Sequence, residues 1–151
     1  MYRKIRIREL RERYAAGERN FAGYTVKSGG DEFYGDFTGI NLVNARLDEA
    51  YMEGIIFRDT DLRSAVLVDC CLNAADLTNA DLRGCDLRGA KFGAANLTGA
   101  DLRDAIFNNT DFYGANLTNA NFSGVTLNAS LRNAIFLNTI MPDGSIRTST
   151  L

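Results

Sequence analysis

The chain counts in fives. From Phe37 to Leu127 every fifth residue is Leu, Phe or Met, nineteen in unbroken succession: twelve Leu, six Phe and Met52. Two residues before each stands something small or aliphatic. Eleven of these are Ala, and the rest are Cys70, Cys85, Thr60, Thr110, Gly35, Ile40, Ile55 and Val125. A period of five fits neither a helix, which repeats at about 3.6, nor a flat strand, which repeats at about 2.

Each unit therefore reads as a short strand plus a bend. The large residue, here called the centre, and the residue two before it face the same way, as alternate residues of a strand do. The residue between them points out and is Asp or Asn in eleven units. The second residue after the centre is Gly, Asn, Asp or Ser in fifteen of the eighteen units from Phe37 to Phe122. Those types accept the conformations that corners need. Repeated bends of one sense wind the chain into a coil, and coils stack at about 4.8 Å through backbone hydrogen bonds. Small residues two before the centre leave room for Leu and Phe in a narrow interior, which large ones would overfill.

The exterior gives the number of units per coil. Arg63, Arg83 and Arg103 recur at twenty residues, each two after an Asp (Asp61, Asp81, Asp101). Thr38, Thr78, Thr98 and Thr118 recur on the same multiple. A fifteen-residue coil would align Arg63, Thr78, Gly93 and Asn108, which share no chemistry. Four pentads per coil, a square section, explains both columns. The reading places all nineteen centres inside, so Leu82→Asp should prevent folding and Thr98→Asp should be nearly silent.

The chain divides into an N-terminal cap, 1–20, a repeat body, 21–141, and a C-terminal turn and tail, 142–151. In the cap, Ile7, Leu10 and Tyr14 make a helical stripe over about 6–16, which Gly17 can stop. Phe21 and Val26 read as early centres, and Gly29-Gly30-Asp31-Glu32 adds one residue before Phe37. Lys27-Ser28-Gly29-Gly30 is read as a flexible loop rather than a phosphate cradle. The register slips by one after Asn128, making Leu131 and Phe136 centres and Met141 the last. Pro142-Asp143-Gly144 is a turn that stops the ladder, followed by a loose tail.

Charge and composition narrow the chemistry. Net charge is −2, but residues 1–14 carry +4 and residues 35–128 carry −6. Such asymmetry marks either a basic arm for nucleic acid or an acidic membrane, or a plain charged end helix; the helix is the reading taken, with no direct nucleic-acid binding expected. No signal-peptide pattern and no apolar run of membrane-spanning length occur, so a cytoplasmic protein without membrane association is expected. There is no His, no phosphate-binding Gly loop and no activated-Ser motif. No enzyme activity, cofactor or metal is expected. Cys70 and Cys85 take the inward place of Ala and read as buried spacers, whereas Cys71 points out. Their spacing suits no zinc or redox site.

Three exterior groups stand out as candidate interaction faces. The first is the ladder Asp61/Arg63, Asp81/Arg83 and Asp101/Arg103, a solubilising set of surface pairs or a docking face. The second is Val66, Val68 and Ile106, apolar where the repeat is usually polar. The third is Tyr51 and Tyr113.

Units such as Ala75-Asp76-Leu77-Thr78-Asn79, Ala80-Asp81-Leu82-Arg83-Gly84 and Ala95-Asn96-Leu97-Thr98-Gly99 resemble the pentapeptide-repeat family, whose pattern is A(D/N)Lxx. The match covers roughly 21–141, and the ends look like those of cyanobacterial members. The resemblance implies an all-β solenoid: a right-handed quadrilateral β-helix, four pentapeptides per coil, with a short N-terminal capping helix. Most members have no known activity; one acidic branch mimics DNA, binds DNA gyrase and dimerises through its C-terminal ends. The expected function is a non-enzymatic protein-binding or scaffold module, monomeric or weakly dimeric, with an unidentified protein partner. The alternatives are a partial DNA mimic directed at gyrase and a structural assembly module of a larger complex.

Overall fold

The computed structural model describes residues 3–27 and 33–149. Of the loop expected at 27–32, Lys27 belongs instead to a strand, paired through its backbone with Arg6, and residues 28–32, with the extra residue, lie outside the described set.

The corner is the unit from which the fold is built. The second residue after the centre is left-handed at every corner from Gly39 to Gly124, with φ between 53° and 77°. Glu49, Ala74 and Ala94, the three residues there that break the compositional rule, adopt it too, at 59°, 55° and 54°. The ring of hydrogen bonds around them outweighs the roughly 1–2 kcal/mol that this conformation costs an L-residue. Ala94→Gly should therefore raise stability by about 0.5 kcal/mol, since relief of that strain exceeds glycine's entropy cost. The urea midpoint should move up with an unchanged slope. Gly99→Ala should do the reverse, because its Cβ would sit 2.5 Å from Asn79 Oδ1.

Between corners the backbone is spent on stacking. Leu82 N–H donates to Asp101 O at 2.8 Å and Gly84 N–H to Arg103 O at 3.0 Å, in the following coil; Asp81 N–H donates to Thr60 O at 2.9 Å in the preceding one. Cys85 N–H closes the bend onto Leu82 O at 3.1 Å. One amide per unit is left over, that of the residue after the centre. The outward Asp or Asn takes it: Arg83 N–H donates to Asp81 Oδ1 at 3.2 Å, and all eleven Asp and Asn of this position do the same at 2.9–3.4 Å. The acid of the repeat is thus a backbone requirement, as side-chain acceptors two residues before an amide are in turns generally.

Parallel bridges join residues twenty apart in four columns. One runs Asn41–Asp61–Asp81–Asp101–Asn121, a second Arg46–Val66–Asp86–Ile106, a third Tyr51–Cys71–Lys91–Asp111, and the fourth Asp36–Ile56–Asp76–Asn96–Asn116. The chain is a solenoid with an interior of Leu, Phe, Ala and Cys. Eighteen of the nineteen centres are buried. Leu127, expected inside, is only half-buried.

The strand β1 (Arg3–Arg6) extends the second column upward, pairing in parallel with β2 (Tyr24–Lys27), with Lys4 opposite Thr25, which in turn bridges Arg46. No periodicity in the first six residues announces it; of the strand's own four residues, Ile5 is the one buried. Helix α1 (Ile7–Ala15) follows, and its buried Ile7 and Leu10 join the core. Tyr14 hydroxyl donates to Thr38 O at 2.8 Å and its ring lies 5.0 Å from Phe37. Gly17, at φ 96°, follows the helix, its amide donating to Tyr14 O.

At the other end the step falls to nineteen. The strand β3 (Thr110–Asp111) pairs with β4 (Ala129–Ser130), Asn116 bridges Ile135 and Asn121 bridges Ile140. Phe136 is buried, while Leu131 and Met141 are partly buried against the core. The tail is not loose as far as Arg147. After the Pro142–Gly144 turn, β6 (Ile146–Arg147) folds back antiparallel on β5 (Thr139–Ile140), and the Arg147 guanidinium lies 4.2 Å from the Phe136 ring centroid.

Thr98 also differs from its expectation. Its hydroxyl donates to Asn96 Oδ1 at 2.6 Å while Asn96 Nδ2 donates to Thr78 Oγ1 at 3.0 Å. A carboxylate at 98 has no proton for that contact, so Thr98→Asp should cost some stability rather than pass silently.

Candidate interaction faces

The Asp81 column carries the most ordered charges. Arg83 Nη2 reaches Asp81 Oδ2 at 2.6 Å while its Nε donates to Asp81 Oδ1 at 2.8 Å, a two-pronged pair repeated at Arg63–Asp61 and Arg103–Asp101. Two of these Arg also face the Asp of the next coil, Arg63 to Asp81 and Arg83 to Asp101, both at 3.7 Å. Like charges a coil apart are thus separated by opposite ones, which offsets their repulsion. Arg88–Asp86 at 2.7 Å repeats the motif on the neighbouring column, and Arg58 reaches Asp76 across a coil at 2.6 Å.

This pairing governs acid behaviour. Hydrogen bonds from Arg63, Arg83 and Arg88 hold the carboxyls of Asp61, Asp81 and Asp86 below the usual range, against the upward push of partial burial. For Asp76 and Asp101 burial is the largest single influence and acts upward, but hydrogen bonds from Thr78 and Arg58, and from Arg103, together outweigh it. Groups depressed in the folded chain bind fewer protons there than when unfolded, so their stabilisation is complete above the unfolded value and is lost as pH falls through the folded one. The melting temperature should hold from pH 7 to about 5 and decline below the ordinary Asp value of about 3.9. A melting temperature that stays level down to pH 3 would contradict it.

The apolar group is less continuous. Val66 and Val68 are half-buried, and Ile106 projects with 52 % of its surface exposed. Tyr51 and Tyr113 share the third column's face and are 51 % and 49 % exposed. Tyr51 hydroxyl bonds Glu53, and Tyr113 hydroxyl accepts from Asn133 Nδ2 at 3.0 Å. Cys71 lies half-buried between them, bridged to Tyr51 and Lys91.

The other two thiols face inward. Burial pushes the Cys85 thiol up to about 12 and the Cys70 thiol higher still. Cys85 Sγ lies 2.9 Å from Leu62 O, the same contact that Thr110 Oγ1 makes with Leu87 O at 2.8 Å. Cys85 and Thr110 thus stand in for Ala by donating to a centre's carbonyl, whereas Thr60 Oγ1 donates to Arg58 O at 3.4 Å. Among the described residues no three of His, Cys, Asp and Glu gather as metal ligands do, and no helix is long and apolar enough to cross a membrane.

One feature was invisible in the sequence. A cleft of about 500 Å3 lies between α1 and the first coil, lined among others by Arg8, Arg11, Tyr14, Tyr34 and Asp36. The Arg11 guanidinium sits 4.4 Å from the Tyr34 ring centroid. Tyr34 falls outside the pentad register, so no spacing pointed to it.

A stack of pentads with small residues inside and Asp or Asn outside defines a class of solenoid. The family model of pentapeptide repeats (8 copies) matches in overlapping segments from 40–79 to 110–143, and the chain belongs to that family. Among solved structures, a pentapeptide repeat protein from the Arabidopsis thaliana thylakoid lumen is 29 % identical, with 72 % of this chain and 69 % of that one covered, at a TM-score of 0.44. QnrB1, a plasmid-mediated fluoroquinolone resistance protein, is 15 % identical over 86 % of this chain and 82 % of its own, at 0.46. HetL, a pentapeptide repeat protein involved in heterocyst differentiation regulation in the cyanobacterium Nostoc, is 24 % identical over 95 % and 100 %, at 0.25. No curated protein matches the sequence.

Proposed function

We propose that the protein is a non-enzymatic, protein-binding rod: a right-handed, four-sided β-helix capped by α1, working in the cytoplasm as a monomer or weak dimer. The observation that carries this reading is how the carboxylates are used. The repeat's Asp side chains hold backbone amides, and several hold an Arg as well, so acids that would otherwise suit catalysis serve the scaffold. Outward remain half-exposed aromatic and aliphatic side chains, Tyr51, Tyr113 and Ile106 among them, and aromatic side chains are the type that anchors partners.

The charged ladder weighs against gyrase-directed DNA mimicry. B-DNA carries about one negative charge per 1.7 Å of axis, whereas here each ladder Asp is matched by an Arg. A supercoiling assay with purified gyrase is expected to show no effect at micromolar protein.

The test is affinity capture from the native cell with the wild-type chain, Tyr113→Ala and Ile106→Asp as baits. A specific protein should be retained by the wild type and weakened about 30-fold by a variant at the contact, the equivalent of roughly 2 kcal/mol. Retention of the same partner by all three baits would reject these faces. Absence of any partner, together with turnover of a metabolite by the purified chain, would reject the binding reading itself.

A further inference from the structure

The nineteen-residue step leaves a mark on one side of the solenoid. From Asp101 to Asp111 the chain runs ten residues, but from their partners Asn121 to Ser130 it runs nine. The missing residue comes from the side that continues the second column below Ile106. A side one residue short cannot follow the corner above it, and the ladder opens there. The amides of Gly84, Leu87 and Gly89 each donate to the next coil at 2.9–3.0 Å. Their counterparts one coil later, Asp104, Phe107 and Asn109, have no such partner among the described residues, and neither does Thr126 N–H, which should reach Ala105 O. Asn128 N–H turns locally onto Thr126 O at 3.2 Å instead. A cleft of about 260 Å3 separates the two lips, lined by Ala105, Ile106, Phe107, Val125 and Thr126 among others. Val125 and Leu127, inward by pattern, are only partly buried.

We propose that the last coil, Gly124 to Arg147, is a strap that opens as one unit while the rest of the rod stays wound. Its backbone is bonded on three sides: Phe112 N–H to Ser130 O, Leu117 N–H to Ile135 O and Phe122 N–H to Ile140 O, all at 2.8–2.9 Å. On the fourth side the backbone ladder is already parted, and a side-chain bond from Asn128 Nδ2 to Asn108 Oδ1 at 2.9 Å spans the gap. Opening begins at a seam that needs no ladder bond to break, and cooperative units of low stability arise where such bonds are few. The hairpin β5–β6 travels with the strap, because β5 is its final segment.

Amide hydrogen exchange on the full chain tests this. The amides that donate into the strap, those of Phe112, Gly114, Leu117 and Asn119, should exchange at one common rate, about 100-fold or more faster than those of Leu77, Leu82 and Gly84. Ordinary end fraying would also speed them, so a second chain separates the causes. One Ala inserted between Asn128 and Ala129 restores the step of twenty, and should slow the same amides about tenfold or more. Thiol labelling gives a readout that needs no insertion. In a Cys71→Ser background, Ala115→Cys places a thiol at a buried inward position of a type that Cys70 and Cys85 already occupy. It should label about 100-fold faster than Cys85. Exchange of the strap amides only with the middle of the rod, labelling of position 115 no faster than Cys85, or rates unmoved by a folded insertion chain would each overturn the proposal.

Discussion

Leu82→Asp should leave no folded protein. Leu82 is fully buried in mid-stack, with coils above and below. The substitution loses about 1.5–3 kcal/mol of apolar burial and places an unpaired carboxylate in the interior, at several kcal/mol more. A typical domain has about 5–15 kcal/mol in all. In a solenoid each coil holds only its neighbours, so a defect in the middle divides the stack into two short pieces. Circular dichroism and soluble yield give the measurement. The matched control is Asn108→Asp, on an exposed outward position where Asn108 Oδ1 accepts from Asn128 Nδ2 at 2.9 Å. A carboxylate keeps that acceptor, and the melting curve should not move. Equal tolerance of both substitutions would contradict the assignment of the interior.

Phe112→Ala is expected to cost about 3–5 kcal/mol, the range for removing a buried aromatic ring from a core that cannot collapse to fill the space. Phe112 stacks on Phe92 with centroids 5.0 Å apart and planes 10° from parallel, and meets Phe122 edge-on at 5.9 Å and Phe107 at 6.1 Å. Stacked backbones fix the coil spacing, so neighbours cannot close over the gap as flexible helices might. Urea denaturation of Phe92→Ala, Phe112→Ala and the double variant should show a coupling of about 0.5–1.5 kcal/mol between the two rings. Additive losses would show that the stacked geometry contributes nothing beyond area.

These two expectations differ in how far the sequence alone carries them. That Leu82 is inside follows from the count in fives. That Phe112 has three rings around it does not: Phe92 and Phe112 share a column at twenty residues, but the approach of Phe107 and Phe122 depends on how corners aim side chains across the interior. The exterior shows the same division. The Asp81–Arg83 spacing marked an ordered face, yet the two-pronged closure of each Arg on its own Asp, which removes the charge that a partner would read, is a matter of geometry two residues apart on one strand. The recurrence of Asp and Asn was legible as a pattern, but its cause, the leftover amide after each centre, was not. The cleft beside Tyr34 and the strand β1 carry no repeat at all and left no signal.

The sequence by itself determined the winding unit, the identity of nearly every interior residue and the place where the register slips, because a repeat of fixed length imposes the same local environment each time and records it in composition. Tertiary structure alone decided what the slip does. A side shortened by one residue is a local fact, but whether the ladder stretches to absorb it or parts beside Ile106 depends on the coil above, whose backbone is already committed to its own partners.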